Sequence, residues 1–229
     1  MSIKIIRLSK HYRSEQETGR TVRALNNINL DINEGSTTIF YGPTGSGKTT
    51  LIQLMSGILR PTYGEVVLNS IHTSRANDCD ITRFREEHIG YIPQEMLLIR
   101  DLTVLENILT PNLFGNETRK ALKNRALDLL ERLDIFDRRH AKPYQLSGGE
   151  QKKVMIARAL LKEPGYILAD EPVSELGRES ANDVIKLFSE FRKKGSAIVV
   201  ASHKKLQMRH KCDIYLIDKG QIIEYARGG

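Results

Sequence analysis

Residues Gly42-Pro43-Thr44-Gly45-Ser46-Gly47-Lys48-Thr49 fit G-x-x-x-x-G-K-[ST], and no other feature of the chain narrows its fold as far. The pattern works only as a strand-to-helix turn whose backbone N–H groups and helix N-terminus face a polyphosphate. Ser36-Thr37-Thr38-Ile39-Phe40-Tyr41 before it reads as a buried strand, and Leu51-Ile52-Gln53-Leu54-Met55 after it as an apolar helical run. An ordinary glycine turn is the competing reading, and those flanks disfavour it. The chain is therefore expected to bind a nucleoside triphosphate through residues 42–49 and the adjoining Thr50. Lys48 is expected on the β- and γ-phosphates and the Thr49 hydroxyl on Mg²⁺.

A second motif narrows the class. Leu146-Ser147-Gly148-Gly149-Glu150 opens a helix-like run from Gln151 to Leu161, and Ile167-Leu168-Ala169-Asp170-Glu171 follows as an apolar strand ending in two carboxylates. Gln94 precedes this pair of motifs and His203 follows it. The order of loop, glutamine, LSGGE, Asp-Glu and histidine resembles the nucleotide-binding subunits of ABC transporters over the whole chain. That resemblance implies an α/β fold with a P-loop NTPase (RecA-like) core, an N-terminal antiparallel β subdomain and an inserted α-helical subdomain. It implies one ABC ATP-binding domain over 1–229, with the core and β subdomain in 1–94 and 163–229 and the helical signature subdomain in 95–162.

Periodicity agrees with an α/β core carrying a helical insertion. Ile3, Ile5 and Leu8 alternate with polar neighbours, as do Val22 to Leu25 and Ile28 to Ile32, with a polar turn expected at Ser14 to Gly19. Lys48 to Ser56 reads as a helix stopped by Gly57 and Pro61, and Glu65 to Leu68 as a strand. From Glu95 to about Lys162 the pattern is mostly helical. Leu122, Ala126, Leu129, Leu130 and Leu133 form one stripe there, for which a packed amphipathic helix suffices. Strand character resumes at Tyr166. A helix carries Val184, Leu187, Phe188 and Phe191, a strand covers Ala197 to Ala201, and Ile214 to Ile217 with Gln221 to Ile223 flank a hairpin turn at Asp218-Lys219-Gly220.

Asp170, at a strand end, is placed to hold the same Mg²⁺, and Glu171 is the candidate general base for the attacking water. A merely solvated carboxylate pair is the alternative. By resemblance, Gln94 contacts Mg²⁺ and the lytic water and transmits nucleotide occupancy to the helical part. His203 likewise contacts the γ-phosphate; taken alone it reads as an ordinary strand-end histidine. Ser147, Gly148, Gly149 and Glu150 are implied to close over the ATP held by a second copy, giving a head-to-tail homodimer. Tyr12 matches the aromatic that stacks on adenine, against the plainer reading of a surface tyrosine. The chain departs from the family pattern at Gly177, where an acidic residue is usual, at Lys153 where Arg is common, and at Lys204 where Asp is common.

At 229 residues, with 40% apolar and 28% charged residues, the chain suits one globular domain. Its net charge of +7 scatters along helices without an aromatic-interleaved basic module, so no nucleic-acid partner is expected. No secretory signal or run long enough to span a membrane is seen, and Cys79 and Cys212 are isolated; a cytoplasmic protein is expected. Leu8 to Tyr12, Val22 to Leu25, Ile89 to Asn107 and Ile167 to Pro172 resemble the lipoprotein-releasing (LolD), macrolide-exporter (MacB) and cell-division (FtsE) branch. The resemblance implies an ATP-hydrolysing motor, peripheral on the cytoplasmic face of the inner membrane, that drives a permease which itself recognises any substrate. The alternative is a non-transporting regulatory ATPase that signals through a membrane partner, as in cell division. A GTPase is disfavoured because no N-K-x-D motif occurs, and a coiled-coil repair ATPase because only 49–146 separates loop from signature. Glu95 to Arg100, with four consecutive apolar residues beside Gln94, is the expected permease-docking segment; a core helix or strand is the plainer reading.

Overall fold

A computed structural model describes residues 2–13, 21–112, 118–204, 206, 208 and 210–228; the turn expected at Ser14 to Gly19 lies outside them. Strands β3 (Thr37–Tyr41), β7 (Tyr166–Asp170) and β8 (Ala197–Ser202) are buried almost throughout, as strands covered on both faces are. They form a six-stranded sheet with β6 (Ile89–Ile92), β9 (Cys212–Asp218) and β10 (Gln221–Gly228), in the order β10-β9-β3-β8-β7-β6. All pairings are parallel except the β9–β10 hairpin. Tyr41 pairs with Ser202, Ala201 with Asp170 and Ala169 with Ile92, so four strands end level.

The remaining strands, β1 (Ser2–Arg13), β2 (Thr21–Asn33), β4 (Tyr63–Leu68) and β5 (Ile71–His72), make an antiparallel sheet in the order β2-β1-β4-β5. The two apolar runs at 22–25 and 28–32 are one strand, not two. Register shifts against β1 absorb the break in alternation, and Asn27 takes a positive φ of 52° there. Polar side chains satisfy the displaced amides: Asn27 N–H donates to Ser9 Oγ at 2.9 Å and Arg7 N–H to Asn29 Oδ1 at 2.9 Å.

Helices fill both faces of the larger sheet. They are α1 (Lys48–Met55), α2 (Asp78–His88), α3 (Val104–Leu109), α4 (Arg119–Arg132), α5 (Gly148–Leu160) and α6 (Arg178–Lys193). Alternation along the strands sorts side chains between two apolar clusters. Ile167, Ala169, Ile198 and Val200 face α3 to α6, where Leu129, Ile156, Leu187 and Phe188 pack. Tyr166, Leu168, Ala197 and Val199 face α1 and the antiparallel sheet, against Leu51, Ile52, Ile3 and Ile5. Helix α2 and strand β6 were not foreseen. Only Ile81 and Phe84 are buried in α2, too sparse a stripe to read, although Asn77 caps it by accepting from Asp80 N–H at 2.8 Å.

Tyr166, buried at the start of β7, joins the two sheets through more than packing. Its hydroxyl donates to Asn69 Oδ1 at 2.8 Å, an oxygen that also accepts from Ser2 N–H at 3.0 Å. Tyr166→Phe should lower unfolding free energy by about 1 kcal/mol without changing the fold, as read by urea denaturation; an unchanged midpoint would show that the bond contributes nothing net.

Candidate active site

The turn from β3 into α1 is held open by neighbouring backbone. Gly47 is the N-cap of α1 at φ 105°, and a Cβ there would collide with the Ala24 carbonyl oxygen of β2. No side chain fits both the conformation and the space. The Lys48 ammonium lies under this loop and donates to Gly42 O and Pro43 O, both at 2.8 Å. Burial lowers its pKa, while Glu171 and Asp170 oppose the shift. Residues Gly45, Gly47, Lys48, Thr49 and Thr50 line a cleft of about 370 Å³ with Val22 and Ala24 of β2. Tyr12 is 39% exposed and pairs with Val22 of the cleft lining, but does not itself line the cleft. A larger hollow of about 490 Å³ lies between β5 and α2 and includes none of the motif residues.

Arg23 and Lys219 also line the cleft, and neither was singled out from the sequence. Lys219 sits in the β9–β10 turn, which rests on the loop through Gly220 N–H donating to Ser46 O at 2.9 Å. Its only sequence signal was a hairpin turn, which says nothing of what the turn touches.

Asp170 ends β7 at 1% exposure. Thr49 lies beside its side chain, and Oδ2 has no partner among the described residues. Burial raises its pKa above the usual carboxylate value. A hydroxyl and a dry carboxylate oxygen side by side are hard oxygen donors suited to Mg²⁺, which takes one or two carboxylates and completes its octahedron with phosphates and water. No group of three or more His, Cys, Asp or Glu fit to hold a metal occurs among the described residues, so a metal held wholly by the protein is not the arrangement seen.

Glu171 follows at φ 49°, a conformation uncommon for this residue type. Its N–H donates to Ala201 O at 2.9 Å. Oε1 accepts from both the backbone N–H and the Nδ1 of His203, each at 2.7 Å. The imidazole therefore carries its proton on Nδ1, leaving Nε2 to face outward. Among the described residues Oε2 has only a 3.5 Å contact, from Ser202 Oγ. One carboxylate oxygen is thus anchored and the other is available to take a proton.

Gln94 leaves β6 beside this group with its side chain exposed. Beyond it the chain forms neither helix nor strand. Asn107, buried in α3, shapes the segment: its Nδ2 donates to Ile99 O, Leu102 O and Thr103 O, and its Oδ1 accepts from Ile99 N–H. Leu97 and Ile99 point outward at 54% and 48% exposure, whereas Leu98 packs on the core. Of the four consecutive apolar residues, Leu97 and Ile99 are therefore exposed, Met96 is half-buried and Leu98 is packed.

Ser147 caps α5 in a reciprocal box. Glu150 N–H donates to Ser147 Oγ, and the Glu150 carboxylate accepts from Ser147 N–H at 2.8 Å and Oγ at 2.9 Å. These bonds and Arg138 Nε at 3.0 Å hold the Glu150 pKa below its ordinary value. Gly148 and Gly149 lie against Glu175 of the loop after β7. No hydrogen bond among the described residues joins Ser147 to Glu150 with the loop at Gly42 to Thr49. The structure thus gathers Lys48, Thr49, Asp170, Glu171, His203 and the Gln94 turn at one edge, and leaves the LSGGE segment outside that group.

The family described as ABC transporter matches residues 25–174. The chain is 38% identical over 215 residues to the lipoprotein-releasing system ATP-binding protein LolD 1 of Chlorobium chlorochromatii, covering 92% of this chain and 87% of that one. It is 34% identical over 223 residues to the macrolide export ATP-binding/permease protein MacB of Pectobacterium atrosepticum, covering 97% of this chain; it spans 34% of MacB's length. Among solved structures, dimeric MJ0796, a bacterial ABC transporter cassette, matches with a TM-score of 0.91 at 33% identity over 98% of both chains. The post-hydrolysis state of that cassette bound to ADP and Pi matches equally well.

A native carboxyl with a raised pKa contributes stability that is present when it is protonated and lost as pH rises through that pKa. Asp170→Asn should therefore raise the urea midpoint of the nucleotide-free chain near neutral pH, and the gain should shrink as pH falls. Equal midpoints at all pH values would mean that Oδ2 is not desolvated.

Proposed function

The chain belongs to the ABC transporter family of ATPases, and from that membership we propose that it is the motor subunit of a membrane complex, closing head to tail as a homodimer on two ATPs to drive a permease. The meeting of Lys48, Thr49, Asp170, Glu171 and His203 at the level ends of β3, β7 and β8 carries the reading. ATP enters the cleft beside Val22 and Ala24 with adenine against Tyr12. The N-terminus of α1 and the Lys48 ammonium neutralise its phosphates. Thr49 and Asp170, with Gln94, would hold Mg²⁺, which would supply charge neutralisation for the triphosphate.

Hydrolysis follows from the two unlike oxygens of Glu171. Water attacks the γ-phosphorus while its proton passes to Oε2, and the bond to the ADP oxygen breaks. Oε1 keeps the carboxylate fixed through His203, whose ring offers an N–H to the γ-phosphate from Nε2 in its doubly protonated form. Gln94 orients the water. The capped N-terminus of α5 offers Ser147, Gly148 and Gly149, with Glu150 beside them, to the γ-phosphate on the other copy. Dimeric MJ0796 supports this pairing. LolD and MacB, named for lipoprotein release and macrolide export, support a permease partner that recognises the substrate. In this reading the chain sits on the cytoplasmic face of the membrane through that permease; no helix among the described residues is long and apolar enough to cross a membrane.

Glu171→Gln should keep ATP affinity, lower kcat by about 100-fold or more, and accumulate an ATP-dependent dimer in light scattering. Adding Ser147→Arg should abolish that dimer. Hydrolysis at the parent rate in the first variant, or a normal dimer in the second, would overturn the assigned base or the composite site respectively.

Charges at the two outward positions, Leu97→Glu with Ile99→Glu, should prevent copurification with the permease while sparing basal ATPase and thermal stability. Full recovery of the complex would move the docking surface elsewhere. Leu98 is left intact, since a charge there would enter the core.

A further inference from the structure

Lys152 lies on α5, one helical turn beyond Gly148, and is wholly buried at 0% exposure. An ammonium so placed is costly unless its donors and charge are both answered. Its donors are answered by the backbone of the Gln94 turn: Nζ donates to Gln94 O at 3.0 Å and to Pro93 O at 3.2 Å. Glu175, Asp170 and Glu171 attract its charge from a distance, and burial outweighs them and lowers its pKa. One side chain thus touches the Gln94 turn and grows from the signature helix. It also stands among the carboxylates of the β7 end and of the loop against which Gly148 and Gly149 pack.

We propose that Lys152 is a positioning residue that locks the Gln94 turn to the signature helix, so that Gln94 and Ser147 to Gly149 move as one unit. This rests on the ATPase reading of the site. The link is short and stiff: α5 is hydrogen-bonded throughout the turn from Gly148 to Lys152, and two carbonyls hold the ammonium from successive residues. Rotation of α5 toward a second copy must therefore carry the backbone of Gln94 with it, or break two charge-assisted bonds in a site closed to water. Lys152 does not touch ATP; its effect on hydrolysis passes through where Gln94 stands.

Lys152→Met keeps the length and apolar stem and removes the donors, and Lys152→Gln restores a donor without charge. At saturating MgATP, Lys152→Met should lower kcat about tenfold with KM nearly unchanged, and Lys152→Gln should recover part of the loss. In combination with Gln94→Ala, Lys152→Met should add little further loss, because both act through one group. Independent multiplication of the two losses, or an unchanged kcat, would overturn the proposal. Amide exchange of Ile99 and Leu102, whose N–H groups donate to Asn107 Oδ1 and Ile99 O just beyond the Gln94 turn, gives a second arm in the nucleotide-free chain that needs no hydrolysis. Exchange should quicken about tenfold in Lys152→Met while the global urea midpoint moves little. Unchanged exchange would overturn the lock even in an active ATPase; faster exchange in Lys152→Met, with a parent chain that hydrolyses no ATP, would uphold the lock and sink the ATPase reading instead. If Lys152→Met does not fold, Lys152→Gln carries both arms.

Discussion

Parallel pairing of β3, β8, β7 and β6 with level carboxyl ends decides where each reactive group sits. With Tyr41 opposite Ser202, Ala201 opposite Asp170 and Ala169 opposite Ile92, the phosphate loop, the carboxylates, the histidine and the Gln94 turn leave the sheet at one edge. Such a sheet needs apolar cover on both faces. Two clusters supply it, drawing alternate side chains from the same strands. The placement of the chemistry is therefore a consequence of packing that lies remote from it.

Around that edge the protein accepts unfavourable local states. Asp170 is dry with an unpartnered oxygen, Glu171 holds a left-handed backbone, and Lys48 and Lys152 are buried cations. Each is tolerable because another compensates. The two lysines offset Asp170, and His203 with Ala201 over-determines Glu171. Desolvated charge gathers at this edge, and Glu171 adds a positive φ to it.

The departures from the family pattern take different meanings in three dimensions. Lys153, where Arg is common, donates to the carbonyl of Asp134 at 3.5 Å and plays a packing part. Lys204, where Asp is common, uses only its backbone N–H, donating to Ser202 Oγ at 3.1 Å. Gly177 caps α6 with an open space where a Cβ would stand, so the missing acidic residue is not excluded by crowding. Lys152, inconspicuous in sequence, is the one that joins two functional segments.

The sequence by itself determined the phosphate loop, the Asp170-Glu171 strand end, the LSGGE helix start and the α/β class. Each is a local pattern in which neighbouring residues specify their own backbone: glycines at a turn, an apolar strand, a serine with a glutamate three residues on. It also carried most of the elements, because strands buried on both faces and single-stripe helices have unmistakable periods. It was silent on α2, whose two apolar anchors are too few to set a period, and on β6, which follows α2 without a turn. Only the tertiary structure decided that Oε1 of Glu171 belongs to His203 while Oε2 is available, that Lys219 lines the cleft, that Leu98 points inward between two outward neighbours, and that Lys152 holds the Gln94 turn. Those facts depend on which distant strands and helices pair and on which face each side chain meets. Contacts between residues far apart in the chain leave no local pattern to read, since either partner alone is compatible with many surroundings.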